Sequence, residues 1–239
     1  MTPIRPDWSL AGIQAFSTTR AGGVSTGAWY SLNLGAYCGD DAAAVAENRK
    51  RLEQQLPGPA RWLKQVHGTR VVNLNDWHPD IEADAVWTDR RRAVLAIQTA
   101  DCLPLLLADA ERGVIAAAHA GWRGLAADIP GAVVQALPVR PGRLTAWIGP
   151  GISAPHYAVG EAVRSSFQAL RLDLSSSFFA DAQGTWRCDL KDIARQLLVR
   201  AGVGMVLDSG LCTAADPGRF FSYRRDGRCR RMATLIWRE

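Results

Sequence analysis

No run of this sequence is long and apolar enough to span a membrane, because Asp101 interrupts the longest candidate. The opening MTPIRPDWSL lacks the basic and then apolar pattern of a secretory leader, so a soluble, cytoplasmic chain with no membrane partner is expected. The phosphate-binding pattern GxxxxGK(S/T) and the dinucleotide pattern GxGxxG are both missing, which removes the usual signals of nucleotide hydrolysis and nicotinamide chemistry. No helix-turn-helix, zinc-finger or RNP-like pattern accompanies the scattered arginines, and no nucleic-acid partner is expected. There is no internal repeat, low-complexity tract or obvious linker, so a single domain over residues 1–239, acting as a monomer, is the default. The five cysteines, Cys38, Cys102, Cys188, Cys212 and Cys229, form no CxxC pair and are odd in number. That pattern fits reduced thiols better than a disulfide framework.

What is present is a globular composition, 48% hydrophobic and 21% charged, enough for one well-buried core. The net charge of +5 comes mostly from arginine, the cation suited to bidentate recognition of phosphate.

The rest of the chain is organised around residues 95–124, LAIQTADCLPLLLADAERGVIAAAHAGWRG. Its runs 94–99, 103–108 and 114–118 are apolar, too short for typical helices and bounded by polar or turn residues, so each reads as a strand buried on both faces. The tight turn at Glu111, Arg112 and Gly113 makes the last two a hairpin. Asp101 and Cys102 interrupt the first two runs as a bulge or strand break would, and Pro104 cannot donate to a ladder. His119 ends the third run, so Cys102 and His119 can converge at one end of a sheet. Residues 62–68 form a strand-like segment that also ends in His-Gly, at His67 and Gly68. Three soft or borderline ligands on rigid strand ends suit a metal. Taken alone, the same residues also fit plain packing, since Cys is often buried for that reason.

Elsewhere, Asp40 and Asp41 cap a helix over 42–56, and 76–82 is a loop with His78 exposed to solvent. Residues 125–137 form a helix that Pro130 and Gly131 kink or divide, 162–170 and 187–202 are further helices, and 144–148, 205–207 and 232–237 are strands. The segment Phe16 to Gly39 is rich in Gly, Ser and Thr, whose exposed amides can cradle an anion. Residues 220–227 turn at Asp226-Gly227.

The motifs QVHG, TADC and HAGWRG, with TTRAGGVSTGAWYSLNLG, IGPGIS and FFSYRRDG in the same order, resemble the YfiH-type family known variously as polyphenol oxidoreductase (laccase), purine nucleoside phosphorylase and peptidoglycan-editing factor. The resemblance runs over roughly residues 16–237. It implies a mixed α/β (α+β) fold in four layers, a central β-sandwich or twisted mixed sheet flanked by helices. It also implies zinc, with copper as the alternative cofactor, held by His67, Cys102 and His119 with a fourth position left for water. The implied activity is phosphorolysis of adenosine, inosine or methylthioadenosine, with deamination of adenosine. The implied partners are thus small molecules, a purine nucleoside and phosphate. The alternatives are hydrolysis of a muropeptide precursor to remove a wrongly incorporated amino acid, and, ranked last, copper-dependent phenol oxidation. Within this frame Cys102, His119 and Asp101 are the catalytic candidates, and Arg20, Arg123, Tyr223 and Arg224 the substrate-binding ones. The sequence departs from the family at Gly151 and Ala158, where relatives commonly have Cys and Glu. It also has Cys229-Arg230-Arg231 in place of Thr-Gly-Arg, so that only Arg231 matches there.

Overall fold

The computed structural model describes residues 2–181 and 184–239. In chain order its strands are β1 (Ile13–Ser17), β2 (Ala60–Arg61), β3 (Val71–Asn73), β4 (Ala85–Thr88), β5 (Val94–Thr99), β6 (Leu103–Asp109), β7 (Val114–Ala120), β8 (Thr145–Ile148), β9 (Ala158–Val159), β10 (Phe178–Ala180), β11 (Trp186–Cys188), β12 (Met205–Asp208) and β13 (Met232–Arg238). Its α-helices are α1 (Ala42–Glu53), α2 (Trp122–Ala126), α3 (Ile129–Ala136), α4 (Glu161–Ser166), α5 (Leu190–Arg200) and α6 (Tyr223–Asp226).

The three apolar runs are the strands β5, β6 and β7, but they do not share a sheet. β5 lies in a four-stranded sheet of order β1-β13-β5-β2, and β6 and β7 lie in a six-stranded sheet of order β12-β8-β6-β7-β4-β3. Strand alternation then separates the layers, since successive side chains point to opposite faces. From β5, Leu95 and Ile97 meet Leu106 of β6 and Ile115 and Ala117 of β7 between the two sheets. Val94 and Ala96 turn the other way and pack with Leu52 of α1, Phe16 and Leu235. From β6 and β7, Leu105, Leu107, Ala116 and Ala118 face away from the sandwich and pack with Val133 of α3 and Ile193 and Leu197 of α5. The order is α1, small sheet, large sheet, then α3 and α5: the four layers that the resemblance implied. Each fully buried leucine in these faces contributes about 1.5–3 kcal/mol by removal from water.

Several local expectations hold. Asp41 caps α1 by accepting from the backbone N–H groups of Ala43 and Ala44, and β6 and β7 pair antiparallel from Leu103 opposite Ala120 to Asp109 opposite Val114. Others are corrected. Residues 62–68 are not a strand beyond Arg61; they run irregularly, with an isolated bridge at Lys64. The helix expected from 187 begins at Leu190, because Asp189 caps it and Trp186–Cys188 pairs with β9 and β10 in a third sheet. The helix over 125–137 is divided before Pro130, where Asp128 adopts the left-handed conformation and accepts from the Gly131 N–H. The turn at Asp226-Gly227 is the end of a short helix, with Gly227 as its left-handed cap. Finally, Cys38 and Cys229 are not free thiols but a disulfide closed across 191 positions. Sequence spacing carries no sign of such a pairing, because only the folded chain brings the two loops together.

The hairpin turn has its own electrostatic anchor. The buried Asp109 carboxylate accepts from the N–H groups of Glu111 and Arg112 and pairs with Arg143 Nε at 2.7 Å. The hydrogen bonds from Arg143, opposed by burial, hold Asp109 below the ordinary carboxylate range. A depressed folded-state pKa gives stability that is complete above the unfolded value of about 3.9 and is lost as pH falls through the lower folded value. Asp109→Asn is therefore expected to lower stability by about 2 kcal/mol at pH 6 and progressively less below pH 4. Denaturant unfolding of both proteins across this range measures it, and a constant difference would rule out the ionised carboxylate as the cause.

Candidate metal centre

His67, Cys102 and His119 meet at the end of the sandwich, and their candidate ligand atoms all lie within 4.8 Å of one another. Each is placed by a different local device. The chain leaves β5 in one sheet and enters β6 in the other, and the crossing is made at Asp101, whose φ is +85°. Cys102 follows at once. His119 lies near the end of β7, and its backbone N–H donates to the Asp84 carbonyl. His67 has a φ of +63°, uncommon for a residue with a side chain. In that conformation the N–H groups of Val66, His67 and Gly68 all donate to the Asp84 carboxylate, at 3.2, 3.0 and 2.7 Å. These successive amides form a small anion nest that holds the strained residue in place.

Asp84 is fully buried and also accepts from His119 Nδ1 at 2.7 Å. One carboxylate thus sets the His67 loop and fixes the His119 tautomer, leaving His119 Nε2 for the site. A metal-binding His held through its other nitrogen by a carboxylate is a recurrent arrangement. His67 Nε2 lies 3.9 Å from Cys102 Sγ. Two ligands on a tetrahedral zinc stand about 3.6 Å apart for a nitrogen and a thiolate, so the donors fit such an ion with small adjustment. Gly121 leaves the necessary space: a Cβ there would lie 3.0 Å from Cys102 Sγ and 3.1 Å from His67 Cδ2.

Charge is coupled across the group. Burial opposes the Cys102 thiolate, but the His119 and His67 imidazoles outweigh it and bring the thiol down to about 6. Burial likewise opposes the His119 imidazolium, and Cys102 with Asp84 raises it to about 9. Near neutral pH the metal-free centre is a thiolate beside an imidazolium, and a cation can replace the proton.

The pocket over this centre is lined by Gly35, Tyr37, Cys38, Gln65, Gln98, Thr99, Cys229 and Arg231 as well as the three donors. Arg231 was not among the nominated site residues, although it was the one match in the altered Cys229-Arg230-Arg231 triplet. Its side chain makes one hydrogen bond, to the Arg230 carbonyl, and no ion pair is found for it among the described residues. Burial pulls its pKa down, against the pull of Cys102, Asp101 and Tyr223 in the other direction. Asp84 was also missed; a carboxylate between Ala83 and Ala85 in a buried segment was the available signal.

The nominated substrate residues lie outside this lining. Arg20 donates to the carbonyls of Tyr30 and Pro217 and stacks on Phe221. Arg224 donates to the Ala158 carbonyl and lies over Tyr157, and Tyr223 is exposed at the start of α6. Arg123, in α2, is exposed and stacks on Trp122, and its side chain has no hydrogen bond or ion pair among the described residues. Asp101 accepts from Thr213 Oγ1 at 2.6 Å, Ser222 Oγ at 3.0 Å and the Arg224 N–H at 2.7 Å. It ties the crossover to the C-terminal loops.

Fold and site together define a four-layer α/β protein with a His, Cys, His group able to hold a metal at the end of its central sandwich. The chain belongs to the family described as multi-copper polyphenol oxidoreductase laccase, whose model matches residues 14–239. It is 44% identical over 236 residues to a Pseudomonas aeruginosa protein named purine nucleoside phosphorylase, covering 98% of this chain and 97% of that one. Against the Escherichia coli purine nucleoside phosphorylase YfiH the identity is 41% over 238 residues, 98% of each chain. A solved Neisseria meningitidis structure superposes with a TM-score of 0.96 at 41% identity over the whole of both chains. YlmD from Geobacillus stearothermophilus gives 0.90 at 33% identity, covering 96% of this chain and 93% of that one.

Proposed function

We propose that this protein is a zinc-dependent purine nucleoside phosphorylase acting on adenosine, inosine and methylthioadenosine, and that it deaminates adenosine at the same site. The observation that carries this reading is a single pocket in which His67, Cys102 and His119 stand with the guanidinium of Arg231, for which no ion pair is found among the described residues. The names of the relatives support it. Phosphorolysis forms a bond between a phosphate oxygen and ribose C1′ as the glycosidic C–N bond breaks and the purine takes up a proton. Zinc held by the three donors would supply Lewis acidity to a polar atom of the substrate.

The chain's own residues supply binding and orientation. Arg231 offers planar donors to phosphate from a partly desolvated position, where charge-assisted hydrogen bonds count for more than in water. Asp84 keeps His119 in one tautomer and one orientation. Arg20, Arg123, Tyr223 and Arg224 are assigned to the substrate from surrounding loops and helices, with Arg123 the freest to move onto it.

The second reading, hydrolysis of a muropeptide precursor, is favoured by the thiolate and imidazolium pair of Cys102 and His119, which suits a thiol nucleophile with its proton carrier. The phenol oxidase reading remains third. The chain has four histidines, whereas a multicopper centre requires many more. Met205 is exposed on an edge strand, and Met232 is buried against Phe220 and Phe221.

Metal-loaded protein incubated with adenosine plus phosphate, beside the muramoyl-peptide precursor, separates the first two readings. Ribose 1-phosphate and free purine support the proposal, and release of an amino acid alone overturns it. Within that assay, Arg123→Lys keeps the charge but loses the planar fork and is expected to raise the phosphate requirement about tenfold. Zinc content and adenosine deamination, which uses no phosphate, should stay within about twofold of the parent, since no phosphate contact enters them. Equal loss of both activities would instead place Arg123 on the nucleoside.

A further inference from the structure

The pocket that holds His67, Cys102 and His119 is lined by a second pair of sulfurs, Cys38 and Cys229. They join the loop before α1 to the loop between α6 and β13, with Cα atoms 4.8 Å apart. This separation lies within the range of roughly 4.4–6.8 Å that disulfides span. Both cysteines are half-buried, and Ala36, Tyr37, Gly39, Gly227 and Arg228 beside them are exposed. A small thiol in solution can therefore reach the bond, and exposed disulfides are the readily exchanged ones. The other cysteines have no sulfur partner: Cys188 is buried, Cys212 accepts from the Ser153 N–H, and Cys102 belongs to the metal centre.

The pair is mechanically tied to the pocket. A Cβ on Gly35 would lie 2.6 Å from Cys38 Sγ and 2.9 Å from Arg231 Cγ, so the sulfur and the arginine stem close over the same glycine. Tyr37, next to Cys38, also lines the pocket and donates its hydroxyl to Asp80. The disulfide thus braces the one arginine and the one tyrosine of the lining.

We propose that Cys38 and Cys229 form a reversible thiol–disulfide site, exchanging with low-molecular-weight thiols, that braces the metal-centre pocket when oxidised and loosens it when reduced. In reduction, one small thiolate attacks a protein sulfur, breaking the S–S bond and forming a mixed disulfide. A second small thiol displaces the remaining protein sulfur. The protein gains two electrons and two protons, and two small thiols become one small disulfide.

The test equilibrates the metal-free full chain in reduced and oxidised glutathione at graded ratios, removes the buffer, and alkylates with iodoacetamide for peptide mass spectrometry. Cys38 and Cys229 are expected to titrate together as a two-electron couple. Alkylation of Cys102 should be severalfold faster once the pair is reduced. Cys38→Ser and Cys229→Ser should each show the fast rate under both conditions, and either variant alone suffices if the other fails to fold. In the loaded enzyme, reduction should raise the phosphate KM about tenfold, as expected when binding groups lose their fixed positions. This last measurement rests on the proposed phosphorolysis; the alkylation does not, so the two can fail separately. A pair that stays reduced at the oxidising end, or Cys102 reactivity that is equal in both states, overturns the proposal.

Discussion

Asp84→Ala is expected to lower stability by about 3–5 kcal/mol, the usual cost of breaking a buried charge pair by removing one partner. It should also weaken metal binding about 10- to 100-fold, as loss of an outer carboxylate on a ligating His does. The carboxylate is fully buried and accepts from four donors: His119 Nδ1 and the N–H groups of Val66, His67 and Gly68. All four are left without it. His119 loses the bond that selects its tautomer, and His67 loses the nest that holds its φ of +63°. Asp84→Asn keeps the shape and one acceptor oxygen, so it should fall between the parent and the alanine variant. Thermal unfolding and competitive zinc titration read the two effects separately. An Asp84→Ala protein with the parent midpoint and full zinc content would show that Asp84 does neither. His67→Ala should abolish zinc retention, because two protein donors rarely hold zinc against water. Stoichiometric zinc in that variant would remove His67 from the ligand set.

Arg231→Ala should raise the phosphate KM about 100-fold, the loss of one or two hydrogen bonds to a charged partner at about 1.5–3 kcal/mol each. Among the described residues the guanidinium makes one hydrogen bond of its own, to a backbone carbonyl, so folding should be little affected. Arg231→Lys restores the charge without the fork and should recover part of the loss. Zinc content is the control in both variants. A parent-like phosphate KM in Arg231→Ala would remove the residue from the phosphate site, and equal loss of deamination would move it to the nucleoside.

Much of the architecture was legible from local physics. The runs at 94–99, 103–108 and 114–118 are strands because they are short, apolar and bounded by turns, and α1 starts where Asp41 offers its carboxylate to two free amides. The donors His67, Cys102 and His119 were legible as polar residues at the ends of apolar segments. The strand ends already allowed Cys102 and His119 to converge, whereas the full ligand set with His67 came from the resemblance, and the fold brings all three sets of ligand atoms within 4.8 Å of one another.

Other features depended on long-range packing. Nothing within residues 94–108 says that β5 and β6 belong to different sheets; that depends on β13, more than a hundred positions away, pairing with β5. Asp84 became a keystone only when β4 paired with β7 and set its carboxylate beside His119. The same holds for Arg231 and for the bond between Cys38 and Cys229. The sequence by itself determined which segments are strands or helices, which faces seek burial and which side chains can bind a metal, because these follow from neighbours a few residues apart. The tertiary structure decided which sheet each strand joined, which carboxylate orients which histidine, and which arginine and which sulfurs line the pocket. Those outcomes require chain segments tens to hundreds of residues apart to meet, and only the shared burial of all four layers selects one such arrangement.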